Sequence, residues 1–111
     1  YGLPIKIINL NNAALGMVRQ WQDMQYGGRH SSSTYEDSLP NFVALAESYG
    51  HVGIKVEKFE DLESAMKECF SLKDRLVFLD VDVDPNEHVY PMLEAGMAMK
   101  DMRLDKELKT W

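Results

Sequence analysis

Leu76-Val77-Phe78-Leu79-Asp80-Val81-Asp82-Val83 is a short apolar run rich in β-branched residues, closed by Pro85, and it decides the fold. Its length and composition suit a strand rather than a helix. Upstream, Leu62, Ala65, Met66, Cys69 and Phe70 recur at helical spacing. Glu60, Asp61 and Glu63 put negative charge where the dipole of that helix favours it. Val52 to Val56 reads as a second strand. Before it, Phe42, Val43, Leu45, Ala46 and Tyr49 form a helical stripe ended by Gly50, and Pro40 suits the first helical position. Arg29 to Leu39 is polar and Ser-rich, a loop by composition. A further helix is expected from about Ala14 to Tyr26, ended by Gly27-Gly28. Ile5 to Leu10 is the remaining strand; its isoleucines suit burial, and Asn11-Asn12 stops it.

The expected order is therefore strand, helix, helix, strand, helix, strand. Alternation of this kind implies crossover connections and parallel pairing. The fold class is α/β, a partial parallel sheet with flanking helices. Three strands make a small sheet with one side exposed or missing, which suggests part of a domain. After Pro85 the chain reads as a tail, its Met- and charge-rich end either a short helix or without regular structure.

Composition sets outer bounds. With 111 residues, 45% of them hydrophobic, the chain is long enough for one small domain. A net charge of −6 offers no basic face to a nucleic-acid backbone, so no nucleic-acid partner is expected. Cys69 is the single cysteine, which fits a reducing compartment. There is no apolar run of about 18 residues, so no membrane span is expected. Tyr1-Gly2-Leu3-Pro4 reads like a helix end leading into a strand, so the chain is expected to be an excerpt of a longer polypeptide. A processed small protein is the alternative.

Asn11-Asn12 falls where ligands bind in open α/β sheets, outside the carboxyl end of a parallel strand. The helix expected next has N–H groups that attract a diphosphate. An Asn side-chain oxygen is a hard, neutral ligand suited to Mg²⁺. Ala13, Ala14 and Gly16 are small enough to let a bulky cofactor approach. The bare dipeptide equally fits plain turn chemistry, since Asn tolerates left-handed backbone and bonds its own main chain. Met17, Trp21 and Met24 share a helical face. By themselves they read as core; Met17 and Trp21 alternatively line a substrate pocket.

The run Asn9-Leu10-Asn11-Asn12-Ala13-Ala14-Leu15-Gly16-Met17-Val18-Arg19-Gln20-Trp21-Gln22 resembles the second half of the thiamine diphosphate motif of the acetohydroxyacid (acetolactate) synthases. That motif opens with Gly-Asp-Gly and closes in Asn-Asn. The continuation from Gly16 to Gln22 is far more specific than the asparagine pair. The resemblance extends through Pro40-Asn41-Phe42, Leu45-Ala46-Glu47, the Val77 to Val83 strand and Val89-Tyr90-Pro91-Met92, and is strongest to the bacterial form.

The resemblance implies that residues 1–84 are the C-terminal part of a thiamine diphosphate- and Mg²⁺-binding domain and residues 85–111 its tail. Asn12 would ligate Mg²⁺ through its side chain and Ala14 through its carbonyl. Gly16 and Met17 would lie against the cofactor. Met17 and Trp21 would shape the substrate pocket, Trp21 favouring 2-ketobutyrate over pyruvate as second substrate and meeting sulfonylurea-type inhibitors. Ala95 falls where herbicide-sensitive plant enzymes carry Ser, and Glu94 and Met97 depart from the family's tail. The implied reaction decarboxylates pyruvate and ligates the remainder to a second 2-keto acid, in branched-chain amino acid synthesis in the bacterial cytoplasm.

The Gly-Asp-Gly aspartate, the pyrimidine-activating glutamate and the FAD-binding region of the family have no counterpart here. The chain is thus expected to hold no catalytic residue and, alone, to be inactive. Implied partners are the remainder of the catalytic subunit, a second copy in a homodimer or tetramer, a regulatory small subunit and 2-keto acid substrates. The alternatives are another thiamine diphosphate-dependent decarboxylase or carboligase, or a stand-alone α/β interaction module.

Other motifs fail. Asp80, Asp82 and Asp84 alternate like an EF-hand loop, but Pro85 and Pro91 occupy the positions that need Gly and Glu. A strand with one wet face explains the alternation. His30, His51 and His88 lack metal-site spacing and read as surface residues, and Arg29-His30-Ser31 as solvated loop. Cys69, on an apolar helix face, reads as a packed thiol.

Overall fold

The computed structural model describes residues 1–35 and 37–105. The elements are β1 (Lys6–Asn11), α1 (Gly16–Gln25), α2 (Phe42–Ser48), β2 (Val52–Val56), α3 (Phe59–Ser71) and β3 (Val77–Asp82), followed by a 3-10 turn at Met99–Asp101. They divide into two compact units, one of Tyr1–Ala14 with Tyr35–Asp84, the other of Leu15–Thr34 with the segment from Pro85 onward.

In the first unit the three strands form a parallel sheet in the order β1-β3-β2. β3 is central, paired to β1 on one side and β2 on the other, and it carries more buried residues than either neighbour. On one face Val77, Leu79 and Val81 are buried in phase with Val52, Ile54 and Val56 of β2, and Leu62, Ala65, Met66 and Cys69 of α3 cover them. Fully burying a side chain such as Leu79 stabilises by about 1.5–3 kcal/mol. On the other face α2 supplies Phe42, which stacks on Phe78 with ring centroids 5.7 Å apart. Val43 of the same helix lies over Gly53 so closely that a Cβ there would come within 2.7 Å of the Val43 Cα.

Helix ends follow local chemistry. The Asn41 side chain caps α2 by accepting from the Ala44 N–H at 3.0 Å. Pro40 therefore sits just outside the helix and not at its first position. Gly50 takes a φ of +78° after α2. Glu60 and Asp61 occupy the first turn of α3, as the dipole favours.

Three expectations about burial fail. The isoleucines of Ile5 to Leu10 are exposed, and Leu10 is 67% exposed, because among the described residues β1 is paired to β3 alone while α2 and α3 pack on β2 and β3. Leu45 and Tyr49 at α2 and Phe70 of α3 are also exposed, since each helix buries a narrower stripe than its apolar residues span.

In the second unit α1 begins at Gly16, two residues later than its periodicity suggests, and Gly27 and Gly28 follow its end with φ of +62° and +70°. Among the described residues the Met- and charge-rich end does form a short helix, the 3-10 turn at Met99–Asp101. Met92 and Arg103 exchange two backbone hydrogen bonds of 2.8 Å, and Arg103 pairs with Glu94. The tail's last residues, 106–111, lie outside the described residues. Among the described residues no helix is long and apolar enough to cross a membrane.

Candidate functional site

Asn11 is the last residue of β1, and the chain turns immediately after it. Its side-chain oxygen accepts from the Ala13 N–H at 3.0 Å, and that of Asn12 accepts from the Ala14 N–H at 3.2 Å. These are two consecutive Asx turns, the chemistry that Asn favours. Ala13 between them has a φ of +51°, left-handed backbone that disfavours a Cβ by roughly 1–2 kcal/mol. A hydrogen bond from the Tyr35 N–H to the Ala13 carbonyl, 2.9 Å long, helps to hold it. The turn reading of the asparagine pair is thus correct, and it leaves the ligand reading open, because an amide oxygen keeps a second lone pair.

Below the turn a polar cluster occupies the sheet face that carries Phe78. Asp80 is 3% exposed. Its Oδ1 accepts from the Asn9 amide at 2.7 Å, and its Oδ2 from the Lys55 ammonium at 2.8 Å and the Asn11 amide at 3.4 Å. Lys55 also pairs with Asp82. Burial on its own lowers the Lys55 pKa, but the hydrogen bonds and attraction of Asp80 and Asp82 outweigh it and raise the pKa above 10.5. The expectation of a wet strand face therefore fails for Asp80, which is buried and paired. Sequence reasoning gave no role to Lys55, nor to Asn9 beyond its place at the head of the quoted run. Their signal is the parallel register, which sets Asn9 and Lys55 opposite Asp80 on either side.

Whether these residues fit a magnesium ion is a question of donor chemistry. Among the described residues no group of three or more His, Cys, Asp or Glu is placed to hold a metal. The Asn12 side-chain oxygen and the Ala14 carbonyl are hard donors of the type Mg²⁺ takes. Two such oxygens fall short of an octahedral shell, so they fit only as part of a site and not as a whole one.

The other sequence-derived residues fall in the second unit. Gly16 opens α1 and Met17 follows it. Met17 is 46% exposed, so the core reading fails for it, while Trp21 and Met24 are half-buried. The deeply buried residue of α1 is Gln20, 1% exposed, whose amide exchanges two hydrogen bonds of 2.9 Å with the Val89 backbone. Gln22 likewise meets the Ser31 backbone, and its oxygen accepts from the Ser33 hydroxyl. Arg19 donates to the Pro85 carbonyl at 2.6 Å and the Asn86 side chain at 2.7 Å. Asp23 faces His30 at 2.6 Å and His88 at 3.1 Å. His88 is thus largely enclosed, against the expectation of a surface residue, whereas His30 and His51 are exposed. The specific run from Gly16 to Gln22 is therefore also structural, since its polar members pin two loops to α1. Cys69 is buried in the core of the first unit, as a packed thiol should be.

A parallel α/β sheet with an Asn turn at a strand's carboxyl end has a matching family. Residues 1–81 match the model of the thiamine pyrophosphate enzyme, C-terminal TPP binding domain, and the chain belongs to that family. It is similar to the acetolactate synthase large subunit of Haemophilus influenzae, 59% identical over 106 residues that cover 96% of this chain and 18% of that protein. It is similar too to the acetolactate synthase isozyme 3 large subunit of Escherichia coli, 54% identical over 112 residues, 99% of this chain and 19% of that protein. The corresponding protein of Corynebacterium glutamicum is 40% identical over 105 residues, 92% of this chain and 17% of its own length. The chain thus spans less than a fifth of the length of these relatives.

Proposed function

We propose that this chain supplies part of the thiamine diphosphate and magnesium site of an acetolactate synthase catalytic subunit. Such an enzyme decarboxylates pyruvate and ligates the remainder to pyruvate or 2-ketobutyrate. The observation that carries the reading is the turn at the carboxyl end of β1, where Asn12 and Ala14 offer two hard oxygens beyond a parallel strand. The identity of 59% to a protein named acetolactate synthase large subunit, over nearly this whole chain, supports it.

In this reading Asn12 and Ala14 would hold Mg²⁺, whose charge would offset that of a diphosphate, and thiamine diphosphate would supply the carbon chemistry that side chains lack. Gly16 and Met17 lie against the cofactor. Met17 and Trp21 bound the acceptor pocket, the broad Trp21 ring favouring the longer 2-ketobutyrate. No residue of this chain is assigned to proton transfer, and FAD belongs to parts of such a subunit outside these 111 residues. A cytoplasmic homo-oligomer with a regulatory small subunit is the setting that follows.

The test uses the complete catalytic subunit that carries this sequence. Acetolactate should form from pyruvate and depend on thiamine diphosphate and Mg²⁺. Asn12→Ala should weaken Mg²⁺-dependent cofactor binding by about tenfold or more. The isolated chain should show no turnover. Acetolactate production by it, or parental cofactor binding by the Asn12→Ala subunit, would overturn the proposal.

A further inference from the structure

Asn11 is placed to control Asn12, and Asp80 is placed to control Asn11. The Asx bond from the Ala13 N–H to the Asn11 side-chain oxygen closes a ring that contains the whole backbone of Asn12. The orientation of the Asn11 amide therefore sets the backbone dihedrals from which the Asn12 side chain projects. An amide can be turned end for end at little steric cost, so something must choose its orientation.

Asp80 makes that choice together with the Ala13 N–H, the one accepting from the amide and the other donating to it. A carboxylate only accepts hydrogen bonds, so the Asn11 NH₂ must face its Oδ2, which lies 3.4 Å away. The side-chain oxygen of Asn11 then points toward the Ala13 N–H. The reversed amide would set oxygen against the Asp80 oxygen and NH₂ against the Ala13 N–H, which is unfavourable at both ends. Asp80 is itself fixed, being nearly fully buried and held by Asn9 at 2.7 Å and Lys55 at 2.8 Å. Both backbones are tied as well, since the Val83 N–H donates to the Asn11 carbonyl at 3.0 Å.

We propose that Asp80 is a positioning residue for Asn12, acting through the Asn11 amide, so that the strand next to β1 sets the geometry of the metal half-site. The inference rests on the reading of Asn12 as a magnesium ligand. It does not require Asp80 to touch metal, cofactor or substrate.

The experiment titrates thiamine diphosphate with Mg²⁺ into the cofactor-stripped complete subunit by calorimetry, comparing the parent with Asp80→Asn, Asn11→Ala and Asn12→Ala. Asp80→Asn keeps the shape but loses the obligate acceptor. Asn11→Ala removes the relay and leaves Asp80 with Lys55 and Asn9. Both should need about tenfold or more Mg²⁺ for half-saturation, as supporting partners of metal ligands generally do, with the pyruvate KM at saturating Mg²⁺ within about twofold of the parent. Asn12→Ala separates the two claims. Parental binding in that variant removes the magnesium reading itself. Weak binding there, with Asp80→Asn and Asn11→Ala at the parental level, overturns the positioning role alone. A lower melting temperature with an unchanged Mg²⁺ requirement also counts against it. Should Asp80→Asn fail to fold, Asn11→Ala decides.

Discussion

Gln20 and Val89 are joined by two hydrogen bonds of 2.9 Å, the Gln20 amide donating to the Val89 carbonyl and accepting from the Val89 N–H. A side-chain amide thus replaces a strand partner for one residue of the tail, Gln20 being buried and Val89 exposed. Gln20→Leu keeps much of the volume but leaves both Val89 groups without that partner. Val89 is exposed, so the loss is that of two ordinary hydrogen bonds, each worth about 0.5–1.5 kcal/mol. The substitution should therefore destabilise the second unit by about 1–3 kcal/mol in all and raise amide hydrogen exchange at Val89. Unchanged exchange there would show that the contact does not hold the tail.

The Lys55 ammonium carries a pH dependence of definite sign. Its folded pKa lies above the ordinary value of 10.5 because Asp80 and Asp82 outweigh the effect of burial. A raised cationic pKa stabilises fully below the unfolded value, and that contribution is lost as pH rises through the folded value. The stability difference between the parent and Lys55→Met should be largest near neutral pH and shrink above about pH 10.5. Urea midpoints measured up to pH 11 or so test this. A difference that stays constant across that range would mean the Asp80 pairing contributes nothing through charge.

What the sequence disclosed was periodic, and what it concealed was polar. The order of elements, the parallel pairing and the core around Leu79 follow from β-branched runs alternating with helical stripes. Burial of β1 was misjudged because a strand's composition does not reveal which side of the sheet it occupies, and β1 turned out to be the edge. Asp80 was misread as solvated because strand alternation identifies a face but not what lies across it. Lys55 and Asn9 become its partners only once the register is known. The run from Gly16 to Gln22 drew attention for its cofactor motif, and the structural work of Gln20 and Gln22 within it has no periodic signature.

Gly53 tests the packing of α2 on the sheet. Its added Cβ would lie 2.7 Å from the Val43 Cα and 2.8 Å from the Val43 carbonyl oxygen, both backbone atoms that cannot rotate aside. Gly53→Ala should force α2 away from β2 and destabilise the first unit by about 1–3 kcal/mol, the usual range for overpacking. The effect should be read as a lower urea midpoint, accompanied by a changed near-ultraviolet signal from the Phe42–Phe78 stack. Parental stability in Gly53→Ala would mean that the helix is less tightly seated than its geometry indicates.

The exposed faces of β1 give the last prediction. Ile7, Ile8 and Leu10 are all exposed on a strand whose pairing, among the described residues, is with β3 alone. Such an apolar edge is a template for pairing with another chain. The isolated chain should therefore associate as its concentration rises toward about 100 μM, a range in which exposed strand edges typically aggregate. Leu10→Lys places a charge at the most exposed apolar residue of the strand, and edge lysines oppose such pairing. Sedimentation velocity should show a concentration-dependent shift for the parent and a smaller one for Leu10→Lys. A parent that sediments as a monomer throughout would show that β1 does not recruit a second chain, whatever its apolar surface.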